Sequence, residues 1–253
     1  MRVTFLGTGT SQGIPVIACD CPVCQSKDIH DKRLRTSVLI EVDDLTLVID
    51  TGPDFRQQML RAKVQKLDAV LYTHEHKDHT AGMDDVRSFN FKQKKDMPIY
   101  AREKVLEQLK REFAYVFAEH KYPDVPSVEP HIITNMPFCV EDLKVTPIEV
   151  LHYKLPVFGF RIKDFTYITD ANAISDAEMS KIKNSEVIVI NALQKEDHIS
   201  HFTLQQALEV IEQLQPKQAY LTHISHKMGF HAEVSKELPP HVALAYDGLS
   251  IEL

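Results

Sequence analysis

The sequence predicts an α/β (α+β) protein in which two β-sheets pack face to face and carry helices on both outer sides. In each half of the chain, short apolar strands joined by polar turns come first and amphipathic helices follow. The 253 residues, 43% hydrophobic and 26% charged, are enough for a full hydrophobic core. No linker separates two cores, so residues 1–253 are expected to form a single domain.

In the first half, apolar runs, turn residues and helical spacing predict the following elements. The strands are 3–6, 37–42, 45–49 and 68–73, with a hairpin turn at Asp43-Asp44 between the second and third. Pro53 suits the first turn of a helix that runs to about Arg61. The longest helical pattern covers 101–119, and the segment 120–130, with three prolines, is expected to be an excursion or lid.

The second half repeats the order of strands before helices. Its strands are predicted near 131–134, 143–150, 157–162, 165–169, 187–190, 219–222, 242–246 and 249–252. Ser175 begins a helix with a capping pattern, Thr203 caps a helix over 204–214, and a last helix covers about 230–237.

Charge and hydropathy limit the classes of function. The net charge of -7 argues against broad nucleic-acid binding. No apolar run is long enough for a transmembrane helix, and residues 1–7 lack a signal-peptide pattern, so a cytoplasmic protein without membrane contact is expected. The expected partner is a small-molecule substrate. A homodimer is the default for many enzymes, although no interface patch stands out.

A six-residue run, His74-Glu75-His76-Lys77-Asp78-His79, directly follows the strand over 68–73. Imidazole and carboxylate are the usual protein ligands of divalent transition metals. Three imidazoles and a carboxylate in one turn fit two ions side by side, with His74 and His76 on one and Asp78 and His79 on the other. A polar surface turn is the alternative, but such a turn rarely follows an apolar strand.

Three further candidate ligands lie where predicted strands end: His152, Asp170 and His223. Strand ends cluster at one edge of a sheet, so these side chains can converge on residues 74–79. Asp170 suits a bridging position because each carboxylate oxygen can bind one metal. Taken singly, each residue has an ordinary structural interpretation, and their joint occurrence favours a metal centre.

A second cluster, Cys19-Asp20-Cys21-Pro22-Val23-Cys24, has Cys-x-Cys-x-x-Cys spacing. Three thiolates with a fourth ligand make a closed, structural zinc site, and His226 is the predicted fourth ligand. A redox pair or three buried thiols are the alternatives.

The chain resembles the metallo-β-lactamase superfamily of metal-dependent hydrolases over essentially its whole length. The opening Phe5-Leu6-Gly7-Thr8-Gly9-Thr10, the turn Val48-Ile49-Asp50-Thr51-Gly52 and the candidate ligands carry this resemblance. It implies a four-layer αββα sandwich with the active site along one edge. It also implies that His74, His76 and His152 hold one ion, that Asp78, His79 and His223 hold the second, and that Asp170 bridges.

Within the superfamily, the cysteine spacing and the runs 50–58 and 82–87 resemble the cyclic-phosphate phosphodiesterase branch of the carbon–phosphorus lyase pathway. That branch has a structural zinc site built from this cysteine pattern and a late histidine. A coenzyme-biosynthesis branch of the pyrroloquinoline quinone type has a related cluster.

The expected function is hydrolysis of a small, cyclic phosphodiester. Two divalent ions (Zn²⁺ or Mn²⁺) ~3.5–4 Å apart activate a water for attack on phosphorus, and Asp78 orients or deprotonates it. His201 resembles the His-x-Thr element of phosphodiesterase members and is the expected proton donor to the leaving group. Alternatively it caps the helix over 204–214. His198 is of interest because it lies near His201.

Other functions compete with this hypothesis. One is metal-dependent hydrolysis of a lactone or thioester, and another is a non-catalytic, metal-binding accessory role in coenzyme biosynthesis. A transfer-RNA endonuclease is disfavoured, because the region 101–130 shows no glycine-rich basic arm. Arg56, Arg87 and Lys154 are possible phosphate contacts, but such residues are more often surface or ion-pair positions.

Overall fold

Two mixed β-sheets face each other in the computed structural model, which describes residues 1–120 and 122–253. The first sheet is formed by β1 (Arg2–Gly7), β2 (Ser37–Val42), β3 (Leu45–Ile49), β4 (Ala69–Leu71), β5 (Met97–Ala101), β6 (Val128–Ile132) and β15 (Ser250–Glu252). Its strand order is β15-β1-β2-β3-β4-β5-β6. The pairs from β15 to β3 are antiparallel and those from β3 to β6 are parallel.

The second sheet is built in the same way. It contains β7 (Phe138–Val140), β8 (Leu143–His152), β9 (Leu155–Ile162), β10 (Phe165–Tyr167), β11 (Ala173–Ile174), β12 (Val187–Asn191), β13 (Gln218–Thr222) and β14 (Val242–Leu244). The strand order is β11-β8-β9-β10-β12-β13-β14, and β7 pairs with β8. Strands β10, β12, β13 and β14 are parallel to one another.

Helices cover the outer faces of both sheets. The α-helices of the described chain are α1 (Pro22–Gln25), α2 (Phe55–Ala62), α3 (Lys77–Thr80), α4 (Arg87–Gln93), α5 (Glu103–Glu112), α6 (Asp176–Ile182), α7 (Leu204–Leu214) and α8 (His231–Val234). Of these, α2, α4 and α5 pack on the first sheet and α6, α7 and α8 on the second, while α1 and α3 lie in loops. None of the helices in the described part of the chain is long and apolar enough to cross a membrane.

Alternation along the strands separates the core into layers. In β3, Leu47 and Ile49 face the second sheet, while Val48 packs with α2 and α5 on the outer side. In β12, Val189 faces inward, whereas Ile188 and Ile190 pack against α6 and α7. The predicted sandwich of two sheets between helices is therefore confirmed.

Several element boundaries differ from the sequence prediction. The helix predicted over 101–119 begins at Glu103 and ends at Glu112, and the strand predicted near 131–134 covers Val128–Ile132. This strand occupies part of the segment 120–130, in which Lys121 lies outside the described residues. The predicted helix 230–237 is only His231–Val234. The predicted helix 204–214 is confirmed, and Thr203 forms a capping box with Gln206.

Candidate metal centre

Strand ends bring the predicted ligands to one edge of the sandwich. His152 is the last residue of β8, Asp170 follows β10, and His223 follows β13 directly. Because the carboxyl ends of parallel strands meet at one sheet edge, these residues face the loop that follows β4. Asp170 and His223 turn the chain there with left-handed φ values of 57° and 54°. Non-glycine residues in this region carry local strain and cluster at functional sites.

Three overlapping groups of side chains gather at this edge, and within each group the candidate ligand atoms lie within 4.8 Å of one another; the third consists of His152, Asp170 and His201. The first group contains His74, His76 and His152, and the second contains Asp78, His79, Asp170 and His223. These seven residues are the set predicted from the sequence.

The aspartates connect the second group. Asp170 Oδ1 lies 3.2 Å from His223 Nε2, and Asp170 Oδ2 lies 3.3 Å from His79 Nε2. Asp78 Oδ2 lies 3.2 Å from His79 Nε2 and 3.8 Å from His223 Nε2. Several imidazole nitrogens therefore share two carboxylates in a buried space.

Hydrogen bonds on the far side of each ring leave three imidazole Nε2 atoms facing the site. His74 Nδ1 lies 3.0 Å from Thr73 Oγ1, which donates its own proton to Asp50 and therefore accepts from His74. His79 Nδ1 donates to Asp50 Oδ2 at 2.7 Å, and His152 Nδ1 donates to the Ser200 carbonyl at 2.9 Å. A histidine whose Nδ1 carries the proton presents an unprotonated Nε2, which is the form that binds a metal.

The site fits divalent cations because it otherwise contains unsatisfied polar atoms. Among the residues that the structure describes, His74 Nε2, His79 Nε2 and both ring nitrogens of His223 are buried without a hydrogen-bond partner. Buried polar atoms normally have partners, and an unpaired one costs free energy. Cations placed between the imidazoles and the carboxylates would satisfy the three Nε2 atoms.

The electrostatics of the protein without cations agree with this interpretation. Burial, opposed by nearby carboxylates, lowers the pKa of His74 well below its ordinary value, so this imidazole is neutral. Burial also lowers the pKa of His79, but Asp78, Asp170 and Asp50 outweigh it and raise that pKa well above the ordinary range. Burial raises and the nearby histidines lower the pKa of Asp170, with a net shift well below its ordinary value. The carboxylates thus attract positive charge, which a proton or a metal ion can supply.

Asp50 supports this centre, although the sequence analysis assigned it no role. Its fully buried carboxylate accepts from His79 Nδ1, from Thr73 Oγ1 at 2.7 Å and from Thr73 N at 2.9 Å. The sequence contained a signal for this role, because Asp50 directly follows the buried strand β3, just as the other candidate ligands lie at strand ends.

Replacing Asp50 with asparagine is expected to weaken metal binding by roughly 10–100-fold, the usual effect of losing a partner of a metal-binding histidine. The amide keeps the shape and tolerates the left-handed backbone at this position, φ 65°. It cannot accept all three hydrogen bonds or stabilise positive charge on His79. Titration against a chromophoric chelator measures the change. Asp44→Asn in the exposed hairpin turn is the matched control, and equal affinities for the two variants would contradict this role.

His201 lies beside the two groups. Its Nε2 is 3.1 Å from Asp170 Oδ1, and its ring stacks on His223 at a centroid distance of 4.9 Å. It is not the cap of α7, because Thr203 holds that position. The alternative interpretation of His201 as a helix cap is therefore wrong, and an imidazole stands directly against the candidate metal centre.

The predicted cysteine site is also assembled. Cys19, Cys21 and Cys24 place their sulfur atoms 3.3, 3.2 and 3.6 Å from His226 Nδ1. Tetrahedral zinc with bonds of about 2.0–2.3 Å separates its ligand atoms by roughly 3.5 Å. A backbone hydrogen bond from Cys24, opposed by burial, lowers the pKa of Cys21 to about 6, so this thiol is mostly thiolate at neutral pH.

Replacing Cys21 with serine is expected to remove one tightly bound zinc ion per chain, because serine is a poor ligand in a thiolate site. The segment around α1 should then become sensitive to limited proteolysis. Elemental analysis and the proteolysis pattern check both effects. Cys139→Ser is the matched control, since Cys139 is exposed and distant in sequence from the cluster. Unchanged zinc content in Cys21→Ser would contradict the assignment.

One chain segment connects the two sites. Ile224, between His223 and His226, donates its N–H to the Thr8 carbonyl at 2.9 Å, and its carbonyl accepts from Thr10 N at 3.1 Å. The loop after β1 therefore holds the segment that carries a candidate ligand of each site.

Two of the three residues considered as phosphate contacts make contacts with neighbouring side chains instead. Arg87 pairs with Asp84 at 3.0 Å, and Lys154 lies over the ring of Tyr153 at 5.3 Å. Among the remaining histidines, His30 stacks on His231 and His131 stacks on Tyr100. His198 is the exception, because its Nδ1 lies 3.2 Å from His201 Nδ1.

A two-sheet sandwich with a histidine- and aspartate-rich edge defines a class of metal-dependent hydrolases. The family model of the beta-lactamase superfamily domain matches residues 46–224. A crystal structure of a diphosphatase from the PhnP family is 39% identical, with a TM-score of 0.93 over 100% of this chain and 97% of that one. The chain therefore belongs to the metallo-β-lactamase superfamily and, within it, to the PhnP family.

Two further proteins are similar to this chain, one in sequence and one in fold. A protein of Porphyromonas gingivalis named octanoyltransferase is 41% identical over 252 residues, which are 98% of this chain but 51% of that protein. The chain thus spans about half the length of this curated relative. Zinc-bound PqqB from Methylobacterium extorquens has a TM-score of 0.83 at 18% identity, covering 100% of both chains, and this likeness concerns the fold alone.

Proposed function

We propose that the protein is a metal-dependent phosphodiesterase that hydrolyses a small, cyclic phosphodiester. In this proposal His74, His76 and His152 hold one divalent cation, while Asp78, His79 and His223 hold a second and Asp170 bridges the two. Zn²⁺ and Mn²⁺ both suit this set of nitrogen and oxygen ligands. Bound there, the cations would lower the pKa of a water molecule and offset charge on the phosphate oxygens.

The observation that carries the proposal is the contact between His201 and Asp170. Hydrolysis of a phosphodiester produces an alkoxide leaving group, which needs a proton. His201 Nε2, 3.1 Å from Asp170 Oδ1, places an imidazole proton beside the edge where a substrate would bind. Ser200 Oγ lies 3.0 Å from His201 Nδ1 and fixes the other edge of the ring. Both ring nitrogens therefore have protein partners in the free protein, and in this proposal the leaving oxygen of a bound substrate replaces Asp170 as the acceptor of the Nε2 proton.

The charge state of His201 depends on the substrate. Burial lowers the pKa of His201 to about 4, so the imidazole is neutral at pH 7 in the free protein. An anionic phosphodiester beside the ring favours its protonated form. In this proposal His201 takes up a proton in the substrate complex and donates it to the leaving oxygen, and the hydrogen bond to Asp170, which raises the pKa of His201, favours the protonated form.

Cleavage of a phosphoanhydride is a second candidate function. The PhnP-family diphosphatase is 39% identical over the full length of this chain, so its named activity is a direct precedent for phosphorus chemistry. The same residues would serve both reactions. The leaving group distinguishes them, because a phosphate needs less help from a proton donor than an alkoxide.

Acyl chemistry is the rival outside phosphorus chemistry. The octanoyltransferase name belongs to a protein of which this chain spans about half, so it transfers here only as an alternative. Thioester hydrolysis would need the metal centre but no proton donor, because a thiolate leaving group is a weak base, whereas a lactone releases an alkoxide that His201 could protonate.

A substrate panel tests these functions. The protein is stripped with a chelator, reloaded with Zn²⁺ or Mn²⁺, and assayed on bis(p-nitrophenyl) phosphate, a 2′,3′-cyclic nucleotide, ADP, a lactone and an octanoyl thioester. We expect kcat/KM for at least one cyclic or aryl phosphodiester to exceed the acyl substrates by about 100-fold or more. Preference for ADP supports the anhydride reaction, and preference for the lactone or thioester overturns the proposal.

A further inference from the structure

The strand between two ligand-bearing strands of the second sheet supplies no ligand of its own. Strand β12 lies between β10, which leads to Asp170, and β13, which leads to His223. None of the candidate metal groups among the described residues contains a residue of β12. Its last residue, Asn191, pairs in register with Thr222, which directly precedes His223. Asn191 therefore stands at the level of the metal centre, between the two turns that carry ligands.

The Asn191 side chain is fully buried and makes two hydrogen bonds to one residue, Ala171. Its Oδ1 accepts from Ala171 N at 2.7 Å, and its Nδ2 donates to the Ala171 carbonyl at 2.9 Å. The backbone pairing of β10 with β12 ends just before this point, where Ile168 N donates to the Val189 carbonyl at 2.8 Å. The side-chain amide thus takes the place of a strand partner for the residue that directly follows Asp170.

The backbone of Asp170 depends on such support, because its φ of 57° lies in the left-handed region. A non-glycine residue keeps this conformation only where the surrounding structure holds it. On the side of β8, Asn172 N donates to the Leu151 carbonyl at 2.8 Å. On the side of β12, the two bonds from Asn191 hold the peptide groups next to the bridging carboxylate.

The same Ala171 carbonyl also holds the segment of the candidate proton donor. It accepts a second hydrogen bond, from Phe202 N at 2.7 Å, and Phe202 directly follows His201. Ala171 and Phe202 are both buried, which shields this carbonyl from water. Asn191 therefore fixes one residue to which both Asp170 and His201 are tied, and these two side chains meet at 3.1 Å.

Asparagine suits this position because the two backbone groups of Ala171 need different partners. A backbone N–H only donates and a carbonyl only accepts, so the partner must present an acceptor and a donor side by side. The asparagine amide does so without adding a charge. Leucine has a similar branched shape but would leave these buried peptide groups without that partner, which costs free energy.

We propose that Asn191 is a positioning residue that sets the bridging carboxylate of Asp170 against the imidazole of His201. This rests on the proposed function and adds to it a residue that is neither a ligand nor a proton donor. Its effect passes through Ala171, whose backbone fixes the direction of the Asp170 side chain and its distance from His201. Loss of Asn191 loosens the centre but removes no ligand.

Asn191→Leu tests this role, with Thr166→Val as the matched control. Thr166 is fully buried in β10, and its Oγ1 lies 2.7 Å from Ser185 Oγ, just before β12 begins and at the opposite end of that strand from Asn191. Each substitution keeps a branched shape and removes a buried polar contact of the same sheet. A general loss of stability should therefore affect both variants.

The first readout is the dissociation constant of Co²⁺ at the metal centre, followed by the visible absorption of the bound ion. One equivalent of Zn²⁺ is added to the chelator-treated protein first, because the thiolates of the cysteine site select Zn²⁺. We expect the dissociation constant to rise about tenfold in Asn191→Leu, the usual effect of losing a supporting partner, and to stay within twofold of the parent in Thr166→Val. The loss is partial because Asn172 still holds the segment.

The second readout is the ratio of kcat for an alkyl phosphodiester to kcat for bis(p-nitrophenyl) phosphate. We expect this ratio to fall about tenfold in Asn191→Leu, because a misplaced His201 slows only the ester whose leaving group needs a proton. Thr166→Val should keep the parent ratio. An unchanged Co²⁺ affinity or an unchanged ratio in Asn191→Leu would overturn the role, whatever the change in melting temperature.

Two provisions keep the test decisive. If Asn191→Leu does not fold, Asn191→Ser takes its place, since a short hydroxyl cannot reach both backbone groups of Ala171. If the parent protein hydrolyses no phosphodiester, the proposed function fails instead, and the Co²⁺ titration alone decides the role of Asn191.

Discussion

Replacing Asp170 with asparagine is expected to reduce bound metal at the candidate centre from the proposed two ions to fewer than one per chain and to lower kcat by roughly 10³-fold. Both oxygens of this carboxylate are engaged, Oδ1 at 3.2 Å from His223 Nε2 and Oδ2 at 3.3 Å from His79 Nε2. Asparagine has a single carbonyl oxygen, and its amide nitrogen would point at a ligand or a cation. The shared link between the two cation positions is then lost.

Elemental analysis and steady-state kinetics measure this effect, with Asp164→Asn as the matched control. Asp164 is an exposed carboxylate in the turn before β10, on the same sheet as Asp170. The control should keep two ions and the parent kcat within twofold. Two retained ions together with the parent kcat in Asp170→Asn would exclude a bridging role.

Thermal unfolding gives a second test of the same substitution. A ligand that binds only the folded state stabilises it by RT ln(1 + [L]/Kd), about 4 kcal/mol at 1,000 times Kd. The parent protein should therefore melt several degrees higher with Zn²⁺ than after chelation. In Asp170→Asn the part of this difference that comes from the candidate centre should disappear, while the part that comes from zinc at the cysteine site remains. A full metal-dependent shift in the variant would place the stabilising ions elsewhere.

The ligands of the candidate centre could be predicted from the sequence because strand ends converge in space. His152, Asp170 and His223 are far apart along the chain, but each lies at or just after the carboxyl end of a strand of the second sheet. The strand order therefore brings these three side chains close to one another at one edge of the sheet. Asp50 had the same position after β3 and was missed, because its partner is a histidine ring nitrogen rather than a metal. A supporting hydrogen bond leaves no spacing pattern in a sequence.

The error in α5 has a different cause. Phe113 and Val116 keep helical spacing and are buried in the same core layer as Leu106 and Leu109, although the helix ends at Glu112. A periodic pattern reports which side chains are buried, and a turn can satisfy the same burial without helical hydrogen bonds. Strand β5 was missed because its sequence pattern is weak: Met97–Ala101 is short and contains Pro98. It is a strand because it pairs with β4 and β6, and such tertiary pairing cannot be read from the local sequence.

His201→Ala is expected to keep both metal ions and lower kcat on a cyclic or aryl phosphodiester by 10²–10⁴-fold, the usual contribution of general acid catalysis. His201 contacts Asp170 but belongs to neither of the two ligand groups that contain His74 and His79. Its loss therefore removes a proton donor and leaves the seven proposed ligands in place. Metal content and kcat are measured on the same samples. His241→Ala is the control, because His241 directly precedes β14 and belongs to none of the candidate metal groups of the described residues.

The leaving group separates a proton donor from a merely structural residue. If His201 protonates the leaving oxygen, the loss in His201→Ala must be large for an alkyl ester, whose alkoxide is a strong base, and small for p-nitrophenolate, which departs without a proton. A structural role would lower both rates by the same factor, because it would act on the metal centre that both substrates use. Equal losses on the two substrates would therefore exclude His201 as the donor, even if activity falls strongly. His201→Gln sharpens the comparison, since glutamine can donate a hydrogen bond to Asp170 but cannot transfer a proton.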